Sequence, residues 1–400
     1  MARAAANARG KSSRTFQLSE QFQLVRISAA EYKLVSLFDA LSVKAKPELG
    51  GLLDRVLPAL HRGTDRESIV AGTTKRESAA VRVMLRDFVS RGLVESSSNG
   101  ERHASNPAKV TRYAKQRQFF SNFQSVDDMS RGPSAKLNGS EHLQRRLTDC
   151  TVMVVGLGRV GSRVAHALAS AGVGTIVGGD SGIVAESDLA DSTFVTGDVG
   201  RPRGQALAEH IAAVNPLVNF ATFEGPVFAA NGAQLPEQLS MVALCEDSFD
   251  PLHHAAINRA CLDKNVTWIG YRSYRTRLEI GPTVVPRETA CFHCYELRRS
   301  SNSSDFAQEL ELQQRLAATE SELGGLNITL GADLLALEMV KTLSHFAAAA
   351  TYGSVYVMDL VSLETRTRPL LKIPRCPECG TSASRPLANV WRYDLEGGAG

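Results

Sequence analysis

Apolar and polar positions follow two different patterns along the chain, and the change comes near residue 141. Residues 15–48 alternate with the two-residue period of short strands, which predicts a small antiparallel sheet. The apolar positions that follow share one face of a helix: Leu52, Leu53, Val56, Leu57 and Leu60. A short second helix is predicted to begin at Thr64 or Asp65, with Glu67 placed for a capping box.

A third helix is predicted in the stretch KRESAAVRVMLRDFVSRG. Its apolar face is assigned to Ala80, Val83, Leu85 and Val89. Strands followed by three helices indicate a winged-helix-like α+β domain over residues 15–96. Residues 97–140 are rich in Ser, Asn, Arg and Lys and are interpreted as a linker.

From residue 141 to residue 385, strand and helix patterns alternate, which predicts an α/β domain with a doubly wound parallel sheet. The predicted strands are 151–155, 175–178, 218–223, 240–244 and 266–270. An antiparallel segment is expected over 271–286, helices around 307–322 and 330–347, and a late hairpin. Residues 1–14 are expected to be a disordered tail, and residues 386–400 a C-terminal tail.

Composition narrows the class of protein. The 400 residues are 43% hydrophobic and 22% charged, which is typical of a globular chain and not of a disordered one. No apolar run approaches the length of a membrane helix, so no membrane association is expected. Seven cysteines, four of them in two CxxC pairs, indicate a reducing compartment, so a cytoplasmic location is predicted. The net charge of +3 conceals a basic N-terminal part, because residues 1–120 hold 21 Lys and Arg against 11 Asp and Glu. An acidic partner is therefore expected there, either a nucleic acid or an acidic peptide.

The stretch GLGRVG, which follows the predicted strand 151–155, has the form of a nucleotide-binding turn. Gly156 makes the turn, Gly158 lets a phosphate approach the backbone, and Gly161 allows close packing of helix and strand. Asp180 ends the next strand, where a carboxylate binds a ribose hydroxyl. The turn alone leaves three interpretations open: a dinucleotide site, a site for another nucleotide, and a turn that serves packing only.

Four of the seven cysteines form two CxxC pairs. Cys291 and Cys294 make one pair, and Cys376 and Cys379 make the other. Four thiolates can surround a zinc ion tetrahedrally and leave no coordination position open, so a structural zinc site is predicted. The alternative is two unrelated thiol pairs or a redox CxxC motif.

Several motifs in a fixed order resemble those of the E1-like, ThiF-type adenylating family over residues 141–380. They are VGLGRVGS, the strand that ends in Asp180, TGDVGRPR, CEDS and GADLLALEMVKTLSHF. The resemblance implies a nucleotide site in which Arg203 contacts phosphate and Asp247 helps to hold magnesium. It also allows a catalytic cysteine, for which Cys245 and Cys261 are the candidates, although neither is assigned that role.

One departure from the family pattern concerns the triphosphate. The family usually has an asparagine and an arginine where this chain has Asp188 and Asp191. A carboxylate there repels a triphosphate, which favours a pseudo-enzyme with a vestigial pocket and leaves the binding of ATP and magnesium open. The other interpretation is an active enzyme that uses Arg131, Arg159 or Arg163 instead.

The N-terminal module together with the E1-like domain resembles the E1-like (ocin-ThiF) partner proteins of thiazole/oxazole-modified peptide and thiopeptide biosynthesis. The resemblance implies that the module binds the leader of a precursor peptide as an added strand. The implied docking edge is Ser42, Val43, Lys44, Ala45 and Lys46. The implied groove beside the third helix is formed by Val83, Leu85, Arg86 and Val89.

The function predicted from this resemblance is to present a precursor peptide to a YcaO-type cyclodehydratase that makes azolines. A homodimer is left open, and a nucleic-acid partner is not expected. The first alternative is an active ATP-dependent adenylating enzyme that acts on a peptide or small-protein carboxylate. The second is a winged-helix DNA-binding regulator whose Arg82 and Arg86 meet the duplex.

Overall fold

The structure is a computed structural model, and the residues it describes fall into several ranges. These are 14–19, 22–36, 40–46, 49–91, 93–98, 111–123, 140–230, 232–247, 249–274, 276–306, 308–309, 311–312, 315 and 328–380. The chain divides into two compact units, Met1–Gln144 and Arg145–Gly400. The predicted tails lie outside these ranges, except that Arg14 begins the first strand. Within the same ranges, no helix is both long and apolar enough to cross a membrane.

The N-terminal unit is an α+β arrangement of two small sheets and short helices. Its strands are β1 (Arg14–Leu18), β2 (Gln23–Ser28), β3 (Glu31–Val35), β4 (Ala40–Lys44), β5 (Thr64–Asp65) and β6 (Val94–Ser98). Its helices are α1 (Gly50–Arg62), α2 (Arg66–Val70), α3 (Lys75–Ser90) and α4 (Ala114–Phe120), and α5 (Ser140–Thr148) crosses into the second unit. The sheets are antiparallel, in the orders β5-β1-β6 and β2-β3-β4. The predicted strands and three helices are confirmed, and the assignment to the winged-helix class stays a prediction.

The core of this unit confirms the predicted buried face of α1 but not that of α3. Helix α1 buries the leucines and valine that were predicted, whereas α3 buries Val81, Leu85 and Phe88. Val83 is 69% exposed and Val89 39% exposed, so neither lies on the core face. The spacing 81-85-88 follows the helical period, and packing selected this phase because it brings Phe88 inward.

Two further local expectations need correction. Asp65 caps α2 by accepting a hydrogen bond from the Ser68 backbone N–H (2.8 Å), so Glu67 is not part of a capping box there. The reciprocal box forms instead at the start of α3, between Thr74 and Glu77. The segment 97–140 is not irregular throughout, because it contains α4, which buries Phe120.

The C-terminal unit is built on an eight-stranded mixed sheet in the order β16-β15-β14-β13-β12-β7-β8-β9. Its strands, with a separate hairpin β10–β11, are β7 (Thr151–Val155), β8 (Thr175–Gly179), β9 (Asn219–Thr222), β10 (Phe228–Ala229), β11 (Gly232–Ala233), β12 (Met241–Leu244), β13 (Thr267–Tyr274), β14 (Arg277–Ile280), β15 (Ser354–Asp359) and β16 (Thr365–Pro369). Its helices are α6 (Arg159–Ala171), α7 (Arg203–Val214), α8 (Pro251–Lys264), α9 (Phe292–Asn302) and α10 (Ile328–Ser344). In this sheet the five strands β9, β8, β7, β12 and β13 run parallel, and the pairs β13–β14, β14–β15 and β15–β16 are antiparallel. The predicted α/β class and strands are confirmed; most of the helix expected over 307–322 lies outside the described residues.

The strand order reverses between β7 and β12, and this reversal positions the candidate site. From β7 the chain proceeds through α6 to β8 on one side, whereas from β12 it proceeds through α8 to β13 on the other. Right-handed crossovers then place α6 and α8 on opposite faces of the sheet. The crevice between the ends of β7 and β12 is where open α/β sheets bind ligands.

Candidate functional site

A cavity of about 670 Å³ lies at the carboxyl ends of β7, β8 and β12. Five of the six predicted nucleotide-site residues line it: Gly156, Gly158, Asp180, Arg203 and Asp247. The sixth, Gly161, is buried in α6, where an added Cβ would lie 1.7 Å from the Gly156 carbonyl oxygen. The structure therefore gathers the predicted residues, with Gly161 acting through packing.

Asp180 holds the turn together from the end of β8. Its Oδ2 accepts a hydrogen bond from the Leu157 backbone N–H (2.7 Å), and its Oδ1 accepts one from the Gly182 N–H (2.6 Å). Arg203 Nη1 also lies 3.3 Å from Oδ2. The carboxylate is thus already engaged by three donors of the chain.

Arg203, which was predicted to contact phosphate, forms a bidentate pair with Asp188. Its Nε lies 3.0 Å from Asp188 Oδ2, and its Nη2 lies 3.0 Å from Oδ1. The Asp188 side chain is buried, and it also accepts a hydrogen bond from the Ala185 N–H (2.9 Å). Burial alone would lower the pKa of Arg203, but the carboxylates of Asp180 and Asp188 raise it. Asp188 is therefore a neutralised partner of Arg203 and not the isolated carboxylate that the sequence suggested.

Asp191 is not among the cavity-lining residues, which corrects its predicted place beside a triphosphate. Its backbone is in the left-handed region (φ 63°), and its carbonyl oxygen accepts a hydrogen bond from Arg163 Nε. Arg163 lines a separate cavity of about 270 Å³ with His166, His210 and Asp333. Of the alternative phosphate contacts, Arg159 lines the main cavity, and Arg131 lies in the part of the chain that the structure does not describe.

Asp247 contacts the first turn of α6. Its Oδ2 accepts a hydrogen bond from the Arg159 N–H, and its Oδ1 accepts one from the Val160 N–H, each at 3.1 Å. Arg159 Nε lies 3.6 Å from Oδ2. An added Cβ on Gly158 would lie only 2.4 Å from that same oxygen. The carboxylate that was predicted to hold magnesium thus occupies the start of the helix.

Glu246 and Phe228 are among the cavity-lining residues that were not predicted from the sequence. Glu246 lies within the CEDS motif, and Phe228 lies on the β10–β11 hairpin, which has no motif. Glu246 Oε1 is 2.6 Å from His253 Nδ1, and the His253 ring stacks on Phe228 with centroids 3.7 Å apart. Burial raises the pKa of Glu246. Burial alone would lower the pKa of His253, but its hydrogen bond to Glu246 raises it.

The two cysteines considered for catalysis are both buried. Burial raises the pKa of Cys245 and of Cys261 well above the usual thiol range. A thiol needs its thiolate form to act as a nucleophile, so these environments disfavour a catalytic role.

The four cysteines of the two CxxC pairs come together in one cluster. Cys291 precedes α9 and Cys294 lies in its first turn, whereas Cys376 and Cys379 lie in a turn closed by the Gly380 N–H on the Cys376 carbonyl oxygen (2.9 Å). The Sγ–Sγ distances are 3.9 Å for 291–294, 3.7 Å for 291–376 and 3.5 Å for 294–379. Tetrahedral zinc with thiolates at about 2.3 Å requires sulfurs roughly 3.8 Å apart, so the donors and their spacing fit the ion.

The predicted docking edge is the outer strand of the sheet β2-β3-β4. Within the described ranges, β4 pairs only with β3. Leu41, Val43 and Ala45 are half-buried against the core of the unit, and Ser42, Lys44 and Lys46 are exposed. The predicted residues of α3 point in different directions: Val83, Arg86 and Val89 are exposed, and Leu85 is buried in the core.

Comparison with known proteins supports this architecture. Residues 133–381 match the ThiF family. The chain is 29% identical over 262 residues to the heterocyst protein HesA of Trichormus variabilis (64% of this chain, 87% of that protein). It is 28% identical over 245 residues to the sulfur carrier protein ThiS adenylyltransferase of Escherichia coli (61% and 91%).

Solved structures resemble the chain at low sequence identity. The microcin C7 biosynthetic enzyme MccB, solved in complex with N-formylated MccA, aligns with a TM-score of 0.62 at 14% identity, covering 92% of this chain and all of that one. PaaA aligns with a TM-score of 0.62 at 16% identity, covering 88% of this chain and all of PaaA. The mixed sheet, the glycine turn and the family match agree on an E1-like, Rossmann-type domain, and the chain belongs to the ThiF family.

Proposed function

We propose that this protein binds the leader of a ribosomally made precursor peptide on β4 and presents the peptide to a YcaO-type cyclodehydratase. That partner would use ATP to convert Cys, Ser or Thr residues into azolines. The observation that carries the proposal is the basic outer edge of β4 at Ser42 and Lys44, on the side away from β3, which is the strand that β4 pairs with among the described residues. A structural neighbour solved with MccA bound is consistent with this use of the fold.

The backbone of β4 shows which groups an added strand would meet. Just beyond β4, the Ala45 N–H donates to the Ala30 carbonyl oxygen (2.9 Å), so by the two-residue alternation the residues of β4 that bond to β3 are Val43 and Leu41. The intervening Ser42 and Lys44 therefore direct their N–H and C=O groups to the open edge. Backbone hydrogen bonds there supply affinity, and Lys44 and Lys46 favour an acidic peptide.

The exposed face of α3 supports a peptide over DNA. Val83 and Val89 lie on the same exposed side as Arg82 and Arg86. A purely phosphate-binding surface has little use for two exposed valines, whereas a peptide can pack apolar side chains against them. The DNA-binding regulator remains the alternative that a salt-dependent duplex titration tests.

The cavity supports a role without adenylation. Its arginines, Arg159 and Arg203, are already bound by Asp247, Asp188 and Asp180. A triphosphate would have to displace these carboxylates, and catalysis needs cations aimed at the phosphates. The competing function is an active adenylating enzyme, which the ThiS adenylyltransferase among the relatives favours.

A structural zinc ion is part of the proposal. Cys291, Cys294, Cys376 and Cys379 would hold it, and the Ile373 N–H, 3.4 Å from Cys294 Sγ, would stabilise a thiolate. The ion would join α9 to the end of the described chain. With four protein ligands it would have no position for a substrate.

The leader interaction is tested by titrating the full-length protein with an acidic leader peptide. We expect a dissociation constant of about 1 μM or tighter, which corresponds to about −8 kcal/mol. Ser42→Pro removes an N–H from the open edge and should abolish measurable binding, whereas Ser42→Ala keeps the N–H and should bind normally. Circular dichroism checks that the proline variant is folded.

A second measurement keeps the test decisive if Ser42→Pro does not fold. Two leader peptides are compared, one N-methylated at the odd positions and the other at the even positions. Only one of the two should lose binding to the wild-type protein, because only alternate residues of an added strand donate to β4. Equal binding of the two peptides would contradict strand addition. Duplex DNA binding at physiological salt without leader binding would favour the regulator, and ATP–pyrophosphate exchange lost in Asp247→Ala would favour the adenylating enzyme.

A further inference from the structure

The side-chain amide of Asn258 connects the two CxxC pairs. Asn258 lies in α8 and is fully buried. Its Oδ1 accepts a hydrogen bond from the Phe292 backbone N–H (2.9 Å), and its Nδ2 donates one to Glu378 Oε2. Phe292 directly follows Cys291, and Glu378 directly precedes Cys379. One amide thus contacts a residue inside each pair, although these residues lie 34 and 120 positions from it along the chain.

The first contact fixes the start of α9. The first N–H groups of a helix have no acceptor within the helix, and Cys291, at the N-cap position, provides no side-chain cap. The Asn258 oxygen instead accepts the hydrogen bond of Phe292, the first residue of α9. Cys294 lies in the same helical turn, so the position of the first CxxC pair is tied to α8.

The second contact holds the turn that carries Cys376 and Cys379. Both Glu378 oxygens are engaged, because Oε2 accepts from Asn258 and Oε1 lies 3.2 Å from Arg259 Nη2. The Arg259 side chain is 72% exposed, and exposed ion pairs contribute little. The Asn258 amide is buried, and hydrogen bonds to an ionised group are the stronger kind. Asn258 is therefore the firmer anchor of the second pair on α8.

These two hydrogen bonds bear on metal affinity as well as on folding. An ion can bridge the two pairs only when the chain has already brought them together. Groups outside the ligand set that orient the ligands typically change metal affinity by about 10- to 100-fold. Loss of the Asn258 amide would leave the Phe292 N–H and the Glu378 carboxylate without this partner, and both pairs would be held to α8 less firmly.

We infer that Asn258 is a positioning residue of the metal site, whose amide holds the two CxxC pairs at ligand spacing and thereby raises the affinity for the ion. The inference rests on the zinc ion proposed above, and it adds a residue outside the four ligands. Because both ends of its amide are already bonded, Asn258 acts through Phe292 and Glu378 and not as a further ligand.

The experiment measures the affinity of the full-length protein for Zn²⁺ by competition with a chromophoric chelator at fixed pH. Asn258→Ala should lower the affinity by about 10- to 100-fold. Glu378→Ala removes one of the two contacts and should lower it by about tenfold. Glu378→Gln keeps an oxygen that can accept from Asn258 and should stay within about threefold of the wild type.

Asn215 provides a matched control for the loss of a buried amide. It is also fully buried, its Nδ2 donates to the Ala169 carbonyl oxygen (2.7 Å), and its Oδ1 accepts from the Leu217 N–H (3.2 Å). None of these residues belongs to the CxxC segments. Asn215→Ala should lower the free energy of unfolding, measured with denaturant, and should keep the zinc affinity of the wild type within about threefold.

The inference would be overturned by an unchanged zinc affinity in Asn258→Ala or by an equal loss of affinity in Asn215→Ala. If Asn258→Ala does not fold, the two Glu378 variants decide, because Glu378→Ala must bind zinc more weakly than Glu378→Gln does. A wild-type protein that binds no zinc would overturn the zinc proposal together with this inference. Titration of the leader peptide on the same proteins tests the leader-binding function separately, because no residue of β4 is changed.

Discussion

The cavity at the carboxyl ends of β7, β8 and β12 and the four-cysteine cluster lie in the same unit, and they differ in how their polar groups are satisfied. In the cavity, Arg203 and Asp247 already have partners supplied by the chain. In the cluster, four sulfurs face one another at distances that suit an ion. A site whose charges are satisfied internally needs no ligand for stability, whereas four converging thiolates repel one another unless a cation lies between them.

This difference separates the presence of a motif from the availability of its charged groups to a ligand. The glycine turn and Asp180 keep the backbone of a nucleotide site, while Asp188 changes what Arg203 can do. In the cluster, the four cysteines of the two CxxC motifs lie close enough together to hold one metal ion. The following predictions compare the two sites, from the largest expected effect to the smallest.

Loss of one ligand from the cluster should have the largest effect on stability. Cys376→Ser should release the metal and lower the free energy of unfolding of the C-terminal unit by several kcal/mol, since structural zinc contributes on the order of 10 kcal/mol in zinc-finger peptides. Elemental analysis and chemical denaturation measure the two quantities. Cys150→Ser, outside the cluster, is the control and should retain the metal. A well-folded wild-type protein without metal would contradict the prediction.

Separation of Arg203 from its partner should have the next largest effect. Asp188→Ala leaves the guanidinium half-buried without its bidentate carboxylate and should cost about 3 kcal/mol, the low end for broken buried pairs because Arg203 is 24% exposed. Denaturant unfolding measures it. Glu209→Ala breaks the exposed Arg201–Glu209 pair nearby and should cost less than about 1 kcal/mol.

A double-mutant cycle sharpens this prediction. Asp188→Asn with Arg203→Gln removes both charges of the ion pair and should be less destabilising than the sum of the two single changes. Additive single effects would show that the pair does not act as a unit. The cavity would then resemble an open site more than a satisfied one.

The smallest effect on stability is expected from His254, a buried polar side chain that belongs to neither the cavity nor the cluster. It is buried beside Phe292, and within the described residues its Nε2 has no hydrogen-bond partner. Burial lowers the pKa of His254 from 6.5 to about 3. Between these values the unfolded chain binds more protons than the folded one, so stability is lost as the pH falls through this window.

The measurement is the free energy of unfolding at a series of pH values for the wild type and His254→Gln. From about pH 6 to pH 4 the wild type should lose up to about 1.4 kcal/mol per pH unit more than the variant. Parallel curves would show that His254 is protonated in the folded state or solvated there. In both cases His254 would not be a buried neutral group, and this prediction would be wrong.

Much of the fold followed from local patterns. Apolar periodicity located the strands from Thr151 onward and the buried face of α1, because a repeating pattern reports directly which face is buried. It failed for α3, where two helical phases were both plausible and only packing around Phe88 decided between them. Helix α4 was not predicted, because its sequence is mostly polar. The helix packs through the buried side chain of Phe120.

The motifs in the sequence likewise identified the site residues, but they did not show which of these residues contact one another. Spacing along the chain predicted the four cysteines and three cavity-lining residues of the nucleotide turn, and the family resemblance implied Arg203 and Asp247. Spacing and resemblance alike say which residues matter and not how they contact one another. Neither carried information on the Arg203–Asp188 pair or on the contact of Asp247 with Arg159, which joins residues 88 positions apart. A motif specifies residue types at fixed separations, whereas charge pairing depends on distances that exist only once the strands and helices have packed. For this reason the chain alone indicated a nucleotide turn and a metal cluster, and tertiary structure decided that the first is satisfied from within.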